Sequence, residues 1–450
     1  MEFTSTTKPL PCLGLTAFAV RLLGELAETS GNGNLVFSPL SIYAALALTA
    51  AGARGATLQE FLAVLGARSR DELAEIVRGL AEQALADRSR TGGPRVSFVC
   101  GLWHDETREL KPAFRDAAAQ SYKAETGAVN FREEPGEAVK LINAWAALAT
   151  DNLIDTILLD GQVSNQTDIV VANAVYFKGM WDVPFCKEST VDDKFHRLDG
   201  TTFDVPFMQS RRRHYIACHE GFKVLKLRYM GKDSWSRPSP FSMCVFLPDE
   251  RDGLAGLVNM IASSNADFLR EHLPTSLVTV GKFRLPRFKL TFSGGISAAL
   301  RRLGLEAAFD EKEADLGDMV EDDGTGRPLA LDSIVHKAVI EVNEDGTEAA
   351  AVTISMKVGR SAPKQPLPVH VDFVADHPFV FFVIDEKSGA IIFAGAVLEP
   401  SPAMPGEKLL PRGPVHADAD NGPVQCRITN ENANGSLMSS LRHCLRCLFG

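Results

Sequence analysis

Positive charge is in short supply in this 450-residue chain: 47 Lys and Arg stand against 57 Asp and Glu, a formal net charge of -10. That balance excludes a general nucleic-acid or anionic-membrane footprint. The one basic run, Arg211-Arg212-Arg213, reads as a solvated loop or strand edge. Cysteine is sparse too. The eight cysteines, at positions 12, 100, 186, 218, 244, 426, 444 and 447, are scattered through a large chain. They make no small disulfide scaffold and fit reduced thiols in a cytosolic or nucleocytoplasmic setting. The first fourteen residues, MEFTSTTKPLPCLG, carry no apolar core of the kind a secretory signal needs. Secretion by another route stays open. The most apolar stretch, 34 to 53, is interrupted by Ser38, Pro39 and Ser41 and is a poor membrane span. Asn165 and Asn434 match the glycosylation pattern, which goes unused without export.

Catalytic signatures are also missing. There is no G-x-S-x-G elbow, no G-x-x-x-x-G-K-[ST] loop and no H-E-x-x-H. The single C-x-x-C, Cys444 to Cys447, lacks the second pair a zinc site needs. No enzyme, no metal and no cofactor is therefore expected.

What the chain does have is a large apolar fraction, 45%, distributed in two kinds of pattern. Leu73, Ile76, Val77, Leu80 and Ala84 recur at three- and four-residue steps and predict an amphipathic helix. Residues 140 to 157 predict another, with Leu141, Ile142, Trp145, Leu148 and Leu153 as its buried stripe. Strands are predicted at 96–100, 169–177, 241–247, 377–384 and 391–393, where β-branched and aromatic residues run between turn signals. Lys387-Ser-Gly reads as a hairpin connection. The interspersed order favours an α+β domain over a doubly wound sheet. Ser361 to Pro368 carries three prolines in eight residues and reads as an exposed loop. Residues 401–450, rich in Pro, Gly, Asn and Ser, read as a disordered extension.

The segment before that loop is unusual. Thr347, Ala349, Ala351 and Thr353 put small side chains on one face of an extended strand. By local pattern alone this could be an ordinary alanine-rich helix or strand. Its neighbours decide otherwise. Val342 to Ala351, with Gly346-Thr347-Glu348 inside it, resembles the hinge of a serpin reactive-centre loop. Asn34 to Ile42, Asn173 to Trp181, Ser333 to Ala338, Asp376 to Phe379 and Phe393 to Pro400 resemble further serpin motifs, in the family's order. Phe373 to Phe379 and Leu110 to Phe114 are most similar to plant serpins.

The resemblance implies a serpin domain over 1–400 with three β-sheets and about eight or nine helices. It also implies a reactive-centre loop over 344–368 held above the main sheet. A target protease cuts the loop, whose N-terminal part then inserts into that sheet as an extra strand. Serpin loop insertion is the established example of strand addition with release of stored strain. Small inward residues can slide between two strands, and Gly346 supplies freedom at the bend. Glu344, Gly346, Thr347, Glu348, Ala349, Ala350, Ala351 and Thr353 form the expected hinge. About a dozen new ladder bonds at about 0.5–1.5 kcal/mol each give a driving force on the order of 10 kcal/mol, so the uncut state is a kinetic trap.

Glu344 through Arg360 is 17 residues, the loop length of inhibitory serpins. At roughly 3.3 Å per residue it spans on the order of 55 Å. The count lands on an arginine and names Arg360-Ser361 as the scissile bond. The implied partners are arginine-directed proteases: trypsin-like serine enzymes and, for plant serpins, cysteine proteases of papain or metacaspase type. The inhibitor is expected to be a monomer. Ser38, Ser41, Asn173 and His336 match the family's hydrogen-bonded cluster beneath the opening sheet. Trp181, Arg287 and Glu344 match the point where the loop first inserts, with an Arg287–Glu344 ion pair expected there. Lys357 departs from the pattern, since it has the inward parity of the inserted strand, where an unpaired charge is costly. A non-inhibitory serpin is the alternative it supports.

Overall fold

The computed structural model describes residues 13–400 except 32, 92, 232–240, 323–327 and 348–369. Glu348, Ala349, Ala350, Ala351, Thr353, Lys357, the Arg360-Ser361 bond and the extension 401–450 lie outside the described residues. Within these bounds the chain has nine α-helices and sixteen strands.

The strands that matter most form a six-stranded sheet. Its order is Phe288–Gly295, Ser333–Val342, Gly346–Thr347, Ile169–Met180, Arg95–Asp105 and Glu125–Val129. The central strand Ile169–Met180 is nearly continuous apolar sequence because both of its faces are covered. Ile169, Val171, Val175 and Phe177 point into the larger core; Val170, Ala172, Ala174 and Tyr176 point into a smaller one. Helix Pro39–Ala51 lies in the larger core, capped by Ser38 and buried along nearly its whole length.

The helix of the smaller core differs from expectation. It runs Pro135–Ala149, not 140 to 157, and stops where Asp151 and Asn152 adopt positive φ. Its buried residues are Ala138, Val139, Ile142, Trp145 and Ala146, while Leu141 and Leu148 are exposed. Sequence alone weights leucine as core. The packed face was set instead by Trp145, which meets Trp103 edge-on at 5.4 Å. The helix expected around Leu73 is Arg70–Gln83, with Leu73, Val77 and Leu80 buried.

Where three sheets are implied, the described strands join into two. The second sheet has ten strands, among them Phe241–Pro248, Phe379–Asp385 and Ala390–Val397 at its apolar centre. Strand Leu277–Pro286 is the reason for the merger. Its first residues pair with His214–His219 and its last with Thr202–Gln209, so two pairing regions share one long strand. The Arg211 to Arg213 run is an exposed connection.

Candidate functional site at the fork of the six-stranded sheet

The two strands at the middle of the six-stranded sheet pair directly along only part of their length. Ser333 to Val339 run parallel to Val170 to Tyr176, one residue opposite another. Above that, Gly346–Thr347 fills the gap: Gly346 opposes Met180, and Thr347 opposes both Gly179 and Val342. The turn that carries the chain back into its own sheet is held by Asn343, whose Oδ1 accepts from the N–H groups of Asp345 and Gly346 at 3.1 and 3.2 Å.

Glycine is required at this turn. Gly346 has φ +150°, and a Cβ there would lie 2.1 Å from the Gly179 carbonyl oxygen. Thr347 is fully buried, and its hydroxyl lies 2.8 Å from the Tyr229 hydroxyl. Tyr229 stacks on Trp181 with centroids 4.7 Å apart, and burial raises its phenol pKa. Trp181 donates from Nε1 to the Asn343 carbonyl and from its backbone N–H to the Asp345 carbonyl, both at 2.9 Å.

Glu344 is nearly buried and satisfied from two sides. Its Oε1 accepts from Thr190 Oγ1 at 2.6 Å, and its Oε2 lies 3.6 Å from Arg287 Nε. Lys187 pairs with the adjacent Asp345 at 2.6 Å, and Phe185 N–H donates to the Glu344 carbonyl at 2.8 Å. The segment 185–190 therefore clamps the start of the loop. Sequence reading missed Phe185, Lys187 and Thr190, which lie in a connection with no periodic signal, and Tyr229, which follows the last residue of strand Phe222–Arg228.

Lower in the sheet, Ser38, Ser41, Asn173 and His336 come together, all fully buried. His336 and Asn173 are direct cross-strand partners. His336 Nε2 accepts from the Ser38 N–H at 2.9 Å, so its proton sits on Nδ1 and is donated to Asn173 Oδ1 at 2.5 Å. Ser41 Oγ lies 3.1 Å from the same Asn173 oxygen. Burial lowers the His336 pKa to about 3, so the ring is neutral at physiological pH. Asn173 Nδ2 is buried without a partner among the described residues. The arrangement ties helix Pro39–Ala51 to both strands where they meet.

Among the described residues no cluster of His, Cys, Asp and Glu could hold a metal. No described helix is long and apolar enough to cross a membrane. Cys100, Cys186, Cys218 and Cys244 are free thiols.

A sheet forked by its own loop is matched by what the chain is similar to. The family model described as serpin (serine protease inhibitor) covers residues 14–400, and the chain belongs to that family, with its metastable fold. Its particular relatives include plant proteins. It is 59% identical over 405 residues to putative serpin-Z5 of Oryza sativa subsp. japonica, covering 87% of this chain and 90% of that one. It is 43% identical over 394 residues to serpin-ZX of Hordeum vulgare, covering 86% and 96%. The solved structure of Arabidopsis AtSerpin1 in its native stressed conformation superposes with a TM-score of 0.78 at 36% identity, covering 86% and 98%.

Proposed function

We propose that this serpin is a suicide inhibitor of arginine-directed proteases, cut at Arg360-Ser361 and trapping the acylated enzyme by inserting residues 347 onward into the six-stranded sheet. The observation that carries the reading is the seating of Gly346–Thr347 between Val342 and Gly179. It supplies both the starting point and the register of the new strand.

Continuing that register brings Ala349 opposite Phe177 and Ile340, and Ala351 opposite Val175 and Ala338. Thr353 then meets Asn173 and His336, where the Asn173 amide has a donor to offer, and Ser355 meets Val171 and Ile334. Every one of these loop side chains is small enough to share a face with aromatic or branched partners. Thr353 with Ser38, Ser41, Asn173 and His336 would set when the strands part; Trp181, Arg287 and Glu344 would set when the loop starts in. Arg360 offers a guanidinium for a charge-assisted pair in an acidic specificity pocket. Trypsin-like enzymes are the first targets and papain- or metacaspase-type enzymes with arginine preference the second. Residues 1–400 form the inhibitor domain, and 401–450 an appended tail. A reduced, cytosolic or nucleocytoplasmic protein accords with the four free thiols.

Lys357 favours a second reading, in which the loop is cut and the protease escapes. Incubation with trypsin followed by a denaturing gel separates the two. An SDS-stable complex with cleavage after Arg360 is expected; clean cleavage without a complex would leave a substrate-like serpin.

A further inference from the structure

The basic run Arg211-Arg212-Arg213 has no part in the loop chemistry described above, yet two of its three members line a cavity. The run connects strand Thr202–Gln209 to strand His214–His219, and both of these pair with Leu277–Pro286. Together with the connection 183–191 they enclose a recess of about 680 Å³. The buried part of its lining is aromatic. Phe283 stacks on His214 with centroids 4.4 Å apart and on Phe185 at 5.6 Å. Burial, with Arg212 nearby, lowers the His214 pKa to about 4, so these rings carry no charge at neutral pH.

The exposed part of the lining is of two kinds. Val183 and Val191 are apolar and open to water, 47% and 52% exposed. Arg211, Arg212 and Lys282 are exposed cations. None of these three cationic groups has an ion-pair or hydrogen-bond partner among the described residues. The charges around them are already matched. Arg284 pairs with Asp193, Arg213 donates to the Leu277 carbonyl at 2.6 Å, and Glu188 accepts from Cys186 Sγ at 3.0 Å. Asp372 accepts from the Lys282 backbone N–H at 2.7 Å. Three like charges held together on a chain of net charge -10 repel one another, and an anion among them relieves that repulsion.

We propose that this recess binds an organic anion: an apolar, drug-sized body bearing a phosphate, sulfonate or carboxylate. Its volume lies within the roughly 300–1,000 Å³ usual for small-molecule sites, and apolar lining with a few charged groups is their ordinary make-up. A bare inorganic ion would leave Val183 and Val191 in water. A neutral apolar molecule would leave the three cations unmet. Arg211 and Arg212 offer forked N–H donors to the oxygens of such a head group, and Lys282 adds a compact point charge. The connection 183–191 also holds the start of the loop, through Phe185 and Thr190 to Glu344 and through Lys187 to Asp345. The site therefore shares a wall with that clamp.

Calorimetric titration of the uncut full chain with naphthyl phosphate tests this, since that probe carries both the apolar body and the charge. Binding of one molecule per chain is expected. Naphthol, which lacks the charge, and inorganic phosphate, which lacks the body, should each bind at least about tenfold more weakly. Arg212→Gln combined with Lys282→Gln should raise the Kd about tenfold, the scale of two solvent-facing charge pairs, while Arg213→Gln leaves it unchanged. Cys186 lines the recess and Cys218 does not, and both are exposed free thiols. Saturating naphthyl phosphate should therefore slow the alkylation of Cys186 by iodoacetamide severalfold and leave Cys218 as it was, read by peptide mass spectrometry. An unprotected Cys186, or a double variant that binds as tightly as the native chain, overturns the site. Inorganic phosphate binding as tightly as naphthyl phosphate overturns the assignment to an organic anion.

Discussion

At the scale of single residues, His336 shows how burial sets chemistry. Its two ring nitrogens are spoken for by Ser38 and Asn173, leaving no face for water, and desolvation lowers its pKa to about 3. The unfolded chain titrates near the ordinary value of about 6.5. Between those values the unfolded state binds more protons, so stability present above about pH 6.5 is lost as pH falls, by up to about 1.4 kcal/mol per pH unit. His214, its pKa lowered to about 4 by burial, adds the same sign. The uncut protein should therefore melt at a lower temperature at pH 4.5 than at pH 7. His336→Gln should make that dependence shallower; an identical pH profile in the variant would show that His336 is not its source. Arg360, proposed above as the bait, is the other single residue to test. On that reading Arg360→Glu should abolish the SDS-stable complex with trypsin that a denaturing gel shows for the native chain; a complex that persists would place the cut elsewhere.

At the scale of elements, the two-residue strand Gly346–Thr347 matters more than its length suggests. It holds open a gap that the rest of the loop would extend. Thr347→Arg would force a guanidinium into a site with no exposure, at a cost of several kcal/mol. Trypsin should then cut this variant after Arg360 and leave, and a gel should show cleaved serpin with little or no complex. Gly346→Val meets the Gly179 carbonyl instead. It should push the short strand out, slow complex formation and raise the stoichiometry. Helix Pro135–Ala149 teaches a related lesson. Its leucines 141 and 148 face outward because Trp145 and Ile142 occupy the buried face, so residue type misplaced the stripe that packing chose.

At the scale of the whole molecule, the fold is held short of its best-bonded state. The six-stranded sheet closes on direct pairing between Ser333 to Val339 and Val170 to Tyr176. A strand inserted between them would add ladder bonds along both edges. With a gain on the order of 10 kcal/mol, a cut but otherwise intact chain should melt well above the uncut one. Nicking with trypsin and repeating the thermal scan measures this directly. Equal melting temperatures would mean that the loop stays outside the sheet.

The amino-acid sequence by itself determined the family and the identity of the buried quartet, because each rests on motifs in a set order; the scissile arginine, reached by a count of residues, stands as the proposal above. Other features waited on the tertiary structure. That two expected sheets fuse through Leu277–Pro286 depends on where one long strand bends. That Thr190 and Lys187 clamp the start of the loop depends on a connection with no pattern of its own. The hold of Asp332 on the Asp168 and Ile169 N–H groups depends on the pairing of segments more than 160 positions apart.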